Sequence, residues 1–124
     1  MNMLSLLYMA NATLLLLHEI ESAYEREWEI LKLPGQITGF LLMHIPIIFL
    51  VLYGLVEIDK ISTVGIIFGI IMGISGLMPF LVHKIIVKTV DHFNLMISDV
   101  IIYLNVLSGV GLLLMSLRRL TNGF

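Results

Sequence analysis

Four side chains in the first half of the chain could bind a metal ion: His18, Glu21, Glu25 and His44. The first three recur at intervals of three and four residues, which places them on one face of a helix. Histidine and carboxylate ligands without thiolates suit zinc, iron or manganese. The sequence therefore predicts these four residues as candidate ligands of a divalent transition metal.

The position of His44 indicates a partner for it on the first helix. Glu25 lies nine residues before Pro34, and His44 lies ten residues after it. At a rise of about 1.5 Å per residue, the two side chains reach nearly the same depth on either side of the turn. A histidine and a carboxylate that meet away from water can satisfy each other and exchange a proton with a bound molecule. Glu25 and His44 are therefore also candidate catalytic residues.

This arrangement depends on one long first helix. Neither Gly nor Pro occurs in residues 14–33, so we expect the helix to continue beyond the membrane surface. On such a helix Glu19 and Glu27 point away from the polar face, toward water or toward Arg26 and Lys32.

The composition requires a membrane. Of the 124 residues 59% are hydrophobic and 13% are charged, and the mean hydropathy is +1.04. A soluble domain of this length could not bury so much apolar surface. The absence of cysteine excludes disulfides and zinc–thiolate sites. The net charge of −2, with no basic block, argues against nucleic acid as a partner.

Four stretches are long enough to cross a hydrocarbon core of about 30 Å. They cover residues 3–20, 37–56, 64–82 and 96–117. The predicted fold is an all-α, up-down-up-down bundle of four transmembrane helices that forms a single domain over residues 1–124. The chain is predicted to be an integral protein of the bacterial inner membrane, in contact with lipid.

The alternating direction of the helices brings the polar residues together. All four histidines fall in the same half of the predicted bundle, at the end that contains residues 21–36. Polar groups within a span usually face the interior of the bundle, so a polar pocket is predicted there. The residues expected at its periphery are Asn11, His83, Asp91, His92, Asp99 and Tyr103.

Glycine and proline predict details of the helices. Gly65, Gly69 and Gly73 recur every fourth residue, so they share a face that can approach a neighbouring helix closely. Pro46 and Pro79 lie within spans two and three, where each removes one helical hydrogen bond and favours a kink.

Two motifs resemble those of small bacterial membrane proteins of unknown function. His18 and Glu21 resemble a His-x-x-Glu-Glu motif that gives one group its name, with Ser22 in place of the second Glu. A second group shares a longer pattern, which here comprises His18, Tyr24, Glu27, Trp28, Pro34, Gly35, His44 and Pro46. The resemblance implies a small integral membrane protein and no established activity.

Three functions are compatible with these residues. The first is a non-enzymatic binding or structural role, in which histidine and glutamate form interhelical hydrogen bonds. The second is metal binding, and the third is acid–base catalysis on a lipid substrate dissolved in the membrane. A lipid ligand and a homo-oligomer are the expected partners besides the bilayer.

Overall fold

The computed structural model describes residues 1–86 and 95–123, and the regular structure in this part of the chain is entirely helical. Six α-helices and one π-helix follow one another along these residues. They are α1 (Met3–Tyr24), α2 (Glu27–Ile30), α3 (Gln36–Asp59), α4 (Thr63–Ser75), α5 (Met78–Phe80), the π-helix (Leu81–Ile86) and α6 (Met96–Asn122).

Four segments are long and apolar enough to cross a membrane, which confirms the predicted fold class. They are Met3–Tyr24, Gln36–Asp59, Thr63–Ile86 and Met96–Asn122. Each contains the corresponding predicted stretch and extends beyond it by one to a few residues at one or both ends. The third segment comprises α4, α5 and the π-helix together.

Contacts between the helices show how their directions alternate. Asn2 donates from Nδ2 to the carbonyl of Asp59 (3.1 Å), and the Tyr8 hydroxyl donates to the carbonyl of Val51 (2.9 Å). Residues further along α1 thus contact residues earlier in α3, so these two helices are antiparallel. Asn2 also accepts a hydrogen bond from the backbone N of Ser5 (2.9 Å), which caps the beginning of α1.

Asn11 joins three helices in the middle of the molecule. It is fully buried, and its Nδ2 donates to the carbonyl of Met72 on α4 (2.7 Å). Its Oδ1 accepts from the Ser108 hydroxyl on α6 (3.0 Å). Asn11 therefore lies in the interior of the molecule rather than at the periphery of a pocket, and its two hydrogen bonds fix α1 against both neighbours.

The glycine face of α4 packs closely against α6. A Cβ atom added at Gly73 would lie 2.8 Å from the backbone N of Leu113 and 2.9 Å from the carbonyl O of Gly109. One added at Gly69 would lie 2.9 Å from Cδ1 of Ile58 and also against the Ser116 hydroxyl. The prediction that Gly69 and Gly73 contact neighbouring helices is confirmed.

The apolar core lies beside this contact. Its fully buried large side chains include Tyr8 of α1, Ile58 of α3, Ile66 of α4 and Leu112 of α6. All four membrane segments therefore contribute to one core, which occupies the end of the molecule that contains the beginning of α1.

At the opposite end the first helix is shorter than predicted. It ends at Tyr24, and Arg26 adopts a left-handed conformation (φ 55°) before the short α2 begins. The expectation of one helix through residues 14–33 was wrong, because a single residue in this conformation redirects the chain. After α2, Lys32 (φ 55°) and Gly35 (φ 86°) supply further left-handed residues before α3.

The third segment is also broken at this end. Helix α4 ends at Ser75, and a turn at Gly76 and Leu77 leads into α5 and the π-helix. Pro79 has no N–H to donate to the carbonyl of Ser75, so the break occurs where proline removes a helical hydrogen bond. Helix α3, in contrast, continues through Pro46 as one helix.

Candidate functional site

A cluster of two histidines and one glutamate lies where the broken helices meet. His18, Glu27 and His83 are all buried, and each offers one ligand atom within 4.8 Å of the other two. Nε2 of His83 lies 3.0 Å from Oε1 of Glu27. The two imidazole rings meet edge to face, with their centroids 4.9 Å apart.

Backbone irregularities place two of these three side chains. His18 belongs to the regular part of α1, whereas Glu27 is the first residue of α2, directly after the left-handed Arg26. His83 belongs to the π-helix, a conformation that is often found at functional sites. The Ser22 hydroxyl, one turn after His18, donates to Oε2 of Glu27.

Glu27 carries a negative charge in this environment. Burial alone would raise the pKa of its carboxyl group. Hydrogen bonds from His83 and Ser22, together with the charges of His83 and His18, outweigh burial and hold the pKa below its ordinary value of 4.5. A carboxylate facing two imidazoles is a donor set that suits zinc and related metals.

A second histidine–glutamate pair lies nearby, between α1 and α3. Nε2 of His44 lies 2.9 Å from Oε2 of Glu19, and Nδ1 of His44 lies 2.7 Å from the carbonyl O of Phe40. A carbonyl oxygen can only accept, so Nδ1 carries a hydrogen. The remaining hydrogen bond then contains one proton, which resides either on Nε2 of His44 or on the carboxyl group of Glu19.

A cavity of about 290 Å³ is lined by His18, Glu27 and the Glu19–His44 pair and extends along α1 and α3 into the apolar segments. Polar side chains form part of its wall: His18, Glu19, Ser22, Glu27, His44 and Ser75. The rest of the wall is apolar and includes Ala12, Leu16, Met43, Ile47, Val51 and Met72. The cavity therefore has a polar part beside the histidines and an apolar part that extends into the membrane segments.

Trp28 closes the polar part of the cavity. Its ring packs against Phe40 (centroids 5.7 Å apart), and Phe40 in turn stacks on the His44 ring (4.1 Å). Only 6% of Trp28 is exposed. Its indole N–H finds no hydrogen-bond acceptor in the part of the chain that the structure describes.

Of the four predicted metal ligands, the structure places only His18 in this cluster. Glu21 instead accepts a hydrogen bond from the Ser98 hydroxyl of α6. Glu25 is half-buried and caps the end of α1 through its backbone. The pairing of Glu25 with His44 was wrong, because His44 pairs with Glu19.

The error in this pairing has a geometric cause. Counting residues from Pro34 assumes that the first helix continues up to this proline, whereas α1 ends at Tyr24 and α3 begins at Gln36. Glu19 lies five residues before the end of α1, and His44 lies eight residues after the beginning of α3. Measured from the observed ends, these two residues have comparable depths.

The predicted peripheral residues have separate positions. His83 belongs to the cluster itself. Asp99 accepts a hydrogen bond from Lys84, and Tyr103 is 54% exposed and packs its ring against Phe80 (centroids 5.9 Å apart). Asp91 and His92 lie outside the described residues.

Glu19, Glu27 and Trp28 belong to the site but were among neither the predicted ligands nor the predicted peripheral residues. Helical periodicity directed both glutamates away from the site, and no Gly, Pro or Asn marks the break at Arg26. One sequence signal could have found two of them. The Tyr-x-x-Glu-Trp part of the longer motif contains Glu27 and Trp28, and both are buried.

One family model matches most of the chain. The model of a family of unknown function, DUF6713, matches residues 4–119. The chain belongs to this family. The match covers all four membrane segments except a few residues at either end, and it indicates no activity. Neither a curated protein nor a solved structure matches the chain.

Proposed function

We propose that this chain is a small membrane protein that binds one divalent transition metal ion, zinc foremost, without catalysing a reaction. The proposed ligands are His18, Glu27 and His83. The observation that carries the proposal is that one ligand atom from each of these three buried residues lies within 4.8 Å of the others.

The spacing of the ligand atoms supports a single ion. Zinc binds histidine nitrogen and carboxylate oxygen at about 2.0–2.2 Å, so two ligands of one tetrahedral ion lie roughly 3.3 Å apart. The 3.0 Å separation of Glu27 and His83 is already close to this value. The remaining distances, at most 4.8 Å, need to shorten by roughly 1.5 Å, which side-chain rotation can provide.

The charges near the cluster also favour a cation. Glu27 is anionic, and Glu19 lies close enough to interact with it electrostatically. A divalent ion beside the Glu27 carboxylate would offset its negative charge in a region where isolated charges are costly. On binding the ion the two imidazoles would release any proton that they carry and supply neutral donor atoms.

Three protein ligands would leave a fourth position on a tetrahedral ion. Sites with three ligands typically bind water or another small molecule there. His18 and Glu27 both line the cavity, so this position would be reached from the cavity. The proposed site therefore resembles an accessible metal centre more than a closed structural one.

Elemental analysis of the purified protein in detergent tests the proposal. We expect about one zinc, iron or manganese ion per chain in the wild type, and a loss of at least about tenfold in metal affinity in Glu27→Gln and in His83→Ala. Glu25→Gln is the matched control, because it makes the same change outside the cluster, and it should retain the metal. Retention of the metal in Glu27→Gln at wild-type affinity would contradict the proposed ligands.

A structural role is the second candidate, and the direct contact between Glu27 and His83 favours it. This contact, supported by the Ser22 hydroxyl, ties the α1–α2 region to the third membrane segment without any ion. In that case the wild type would contain no metal after purification in metal-supplemented buffer, and Glu27→Gln would still lower the melting temperature in detergent.

The acid–base hypothesis now depends on Glu19 and His44 rather than on Glu25 and His44. This pair faces the cavity and shares one proton, which is the arrangement that proton transfer to a bound lipid would need. Turnover of a lipid substrate that is lost in His44→Ala, and retained in Glu25→Gln, would favour this hypothesis over the other two.

A further inference from the structure

We propose that the cavity beside the cluster binds a single-chain amphiphile. Its apolar chain would lie between α1 and α3, and its oxygen-bearing head would lie beside His18 and Glu27. The position of the head rests on the proposed metal-binding function, whereas the position of the chain rests on the cavity alone.

The size of the cavity suits one chain. At roughly 30 Å³ for each water-sized group, 290 Å³ accommodates about ten such groups. This is enough for a small head and the first part of a hydrocarbon chain. It is near the lower limit of about 300 Å³ for small-molecule pockets.

The wall of the cavity changes from polar to apolar along its length. The polar part is formed by His18, Glu27 and the Glu19–His44 pair, and the apolar part is formed by residues such as Leu16, Ile47 and Val51. Water is not retained in apolar cavities, which remain empty or take up apolar molecules. In a bilayer the most abundant apolar molecule is a lipid chain, and its polar head would lie toward the histidines.

The cavity also has an opening toward lipid. Leu31, Met43 and Met78 line it and are at the same time exposed on the surface, at 41%, 40% and 45%. They belong to the end of α2, to α3 and to α5, so the opening is bordered by these three elements. An amphiphile could therefore enter sideways from the bilayer.

Trp28 provides a reason for an oxygen at the polar end. Its indole N–H has no acceptor among residues 1–86 and 95–123, although buried tryptophan N–H groups usually have one. An oxygen of the head, placed between Trp28 and Glu27, would be near this donor and near the open position of the proposed metal ion.

The fluorescence of Trp28 offers a direct test, because it is the only tryptophan in the chain. Bromine atoms on a lipid chain quench tryptophan at short range, and Trp28 is largely shielded from the surrounding detergent. We expect stearic acid that carries bromine at C2 and C3, next to its carboxyl group, to quench the fluorescence saturably when it is titrated into the protein in an unbrominated detergent. Quenching that only increases in proportion to the brominated acid, without saturation, would overturn the inference.

Two pairs of variants locate the binding site. Ala12→Leu fills the cavity wall, whereas Ala10→Leu makes the same change on the exposed side of α1. We expect the first to weaken saturable quenching by about tenfold, since overpacking a site costs at least this much, and the second to leave it unchanged. Val51→Phe and its exposed neighbour Leu52→Phe form the second pair, in case Ala12→Leu does not fold. Equal quenching within both pairs would overturn the cavity as the binding site.

Metal analysis of the same samples separates this inference from the proposed function. Stoichiometric metal without saturable quenching would overturn the inference and leave the proposed function intact. Saturable quenching that is sensitive to Ala12→Leu in a protein that binds no metal would contradict the proposed function and the position of the head, and would support the chain site. Saturable quenching that Glu27→Gln weakens together with metal binding would support both.

Discussion

The two ends of the molecule differ in how their helices are built and packed. At the end that contains the beginning of α1, the helices are regular, and Gly69 and Gly73 allow close contact with neighbouring helices. At the other end, α1 stops at Tyr24 and the third segment is broken after Ser75, and both breaks border the cavity. Irregular backbone within a membrane is tolerated where it is buried in protein or lines a cavity. The polar end is therefore less regular than the other end, and its backbone breaks place particular side chains beside the cavity.

Asn11 lies between these two ends. Its hydrogen bonds to Met72 and Ser108 fix α1 on the two helices that form the glycine contact. Beyond it toward the cavity, the contacts between helices are increasingly made by charged and polar side chains, such as those between Glu21 and Ser98 and between Glu27 and His83. The polar end therefore depends on individual pairs, and each pair can be tested separately.

The largest effect is expected from removing the carboxylate of the cluster. Glu27→Ala removes the carboxylate that Ser22 and His83 contact, and breaking such a buried pair typically costs about 3–5 kcal/mol. Thermal unfolding of the metal-free protein in detergent measures this cost. Glu29→Ala, an exposed change in the same short helix, should alter stability by less than about 0.5 kcal/mol. Equal costs for the two variants would mean that the polar end does not depend on this pair.

A methyl group added to the glycine contact should have the next largest effect. Gly73→Ala places a Cβ 2.8 Å from the backbone of Leu113, and we expect a loss of about 1–3 kcal/mol as the helices move apart. Gly111→Ala is the control, since its nearest neighbour would be Cδ2 of Leu7, at 3.9 Å. This variant should gain about 0.5–1 kcal/mol from higher helix propensity. A gain in both variants would show that the regular end is not closely packed.

The features that the sequence predicted correctly are those that depend on single segments. Length and hydropathy determine which stretches can cross a membrane, and the four-residue spacing of Gly65, Gly69 and Gly73 determines a common face whatever the rest of the chain does. Pro79 removes a hydrogen bond wherever it occurs in a helix. These predictions needed no knowledge of how the helices are placed relative to one another.

The composition of the site could not be predicted in this way. One left-handed residue, Arg26, turns Glu27 into the interior. Arginine is not a residue type that favours this conformation, so the sequence carries no local sign of it. The position of α3 against α1 decides that Glu19, rather than Glu25, meets His44. Both features follow from tertiary packing, which overrides local periodicity.

A double-mutant cycle compares the observed pair with the one that periodicity favoured. Glu19→Gln and His44→Ala should each destabilise the protein, and the double variant should lose less than their sum by about 0.5–3 kcal/mol. The same cycle with Glu25→Gln should be additive within about 0.5 kcal/mol, because Glu25 does not contact His44. Coupling of His44 to Glu25 instead of Glu19 would support a first helix that continues beyond Tyr24, and it would contradict the difference between the two ends.

The smallest expected effect is the change in stability caused by Arg26→Gly, and its sign tests whether the first helix is broken at this residue. Arg26 has φ 55°, a conformation that costs a residue with a side chain about 1–2 kcal/mol and costs glycine little. Its ion pair with Glu29 is exposed and contributes little. Arg26→Gly should therefore stabilise the protein in detergent by about 0.5–1 kcal/mol. On a continuous helix the same substitution would destabilise it by about 1 kcal/mol, as we expect for the control Ala23→Gly within α1. A loss of stability in Arg26→Gly equal to that of Ala23→Gly would show that the helix continues through Arg26, and Glu27 would then face away from His83.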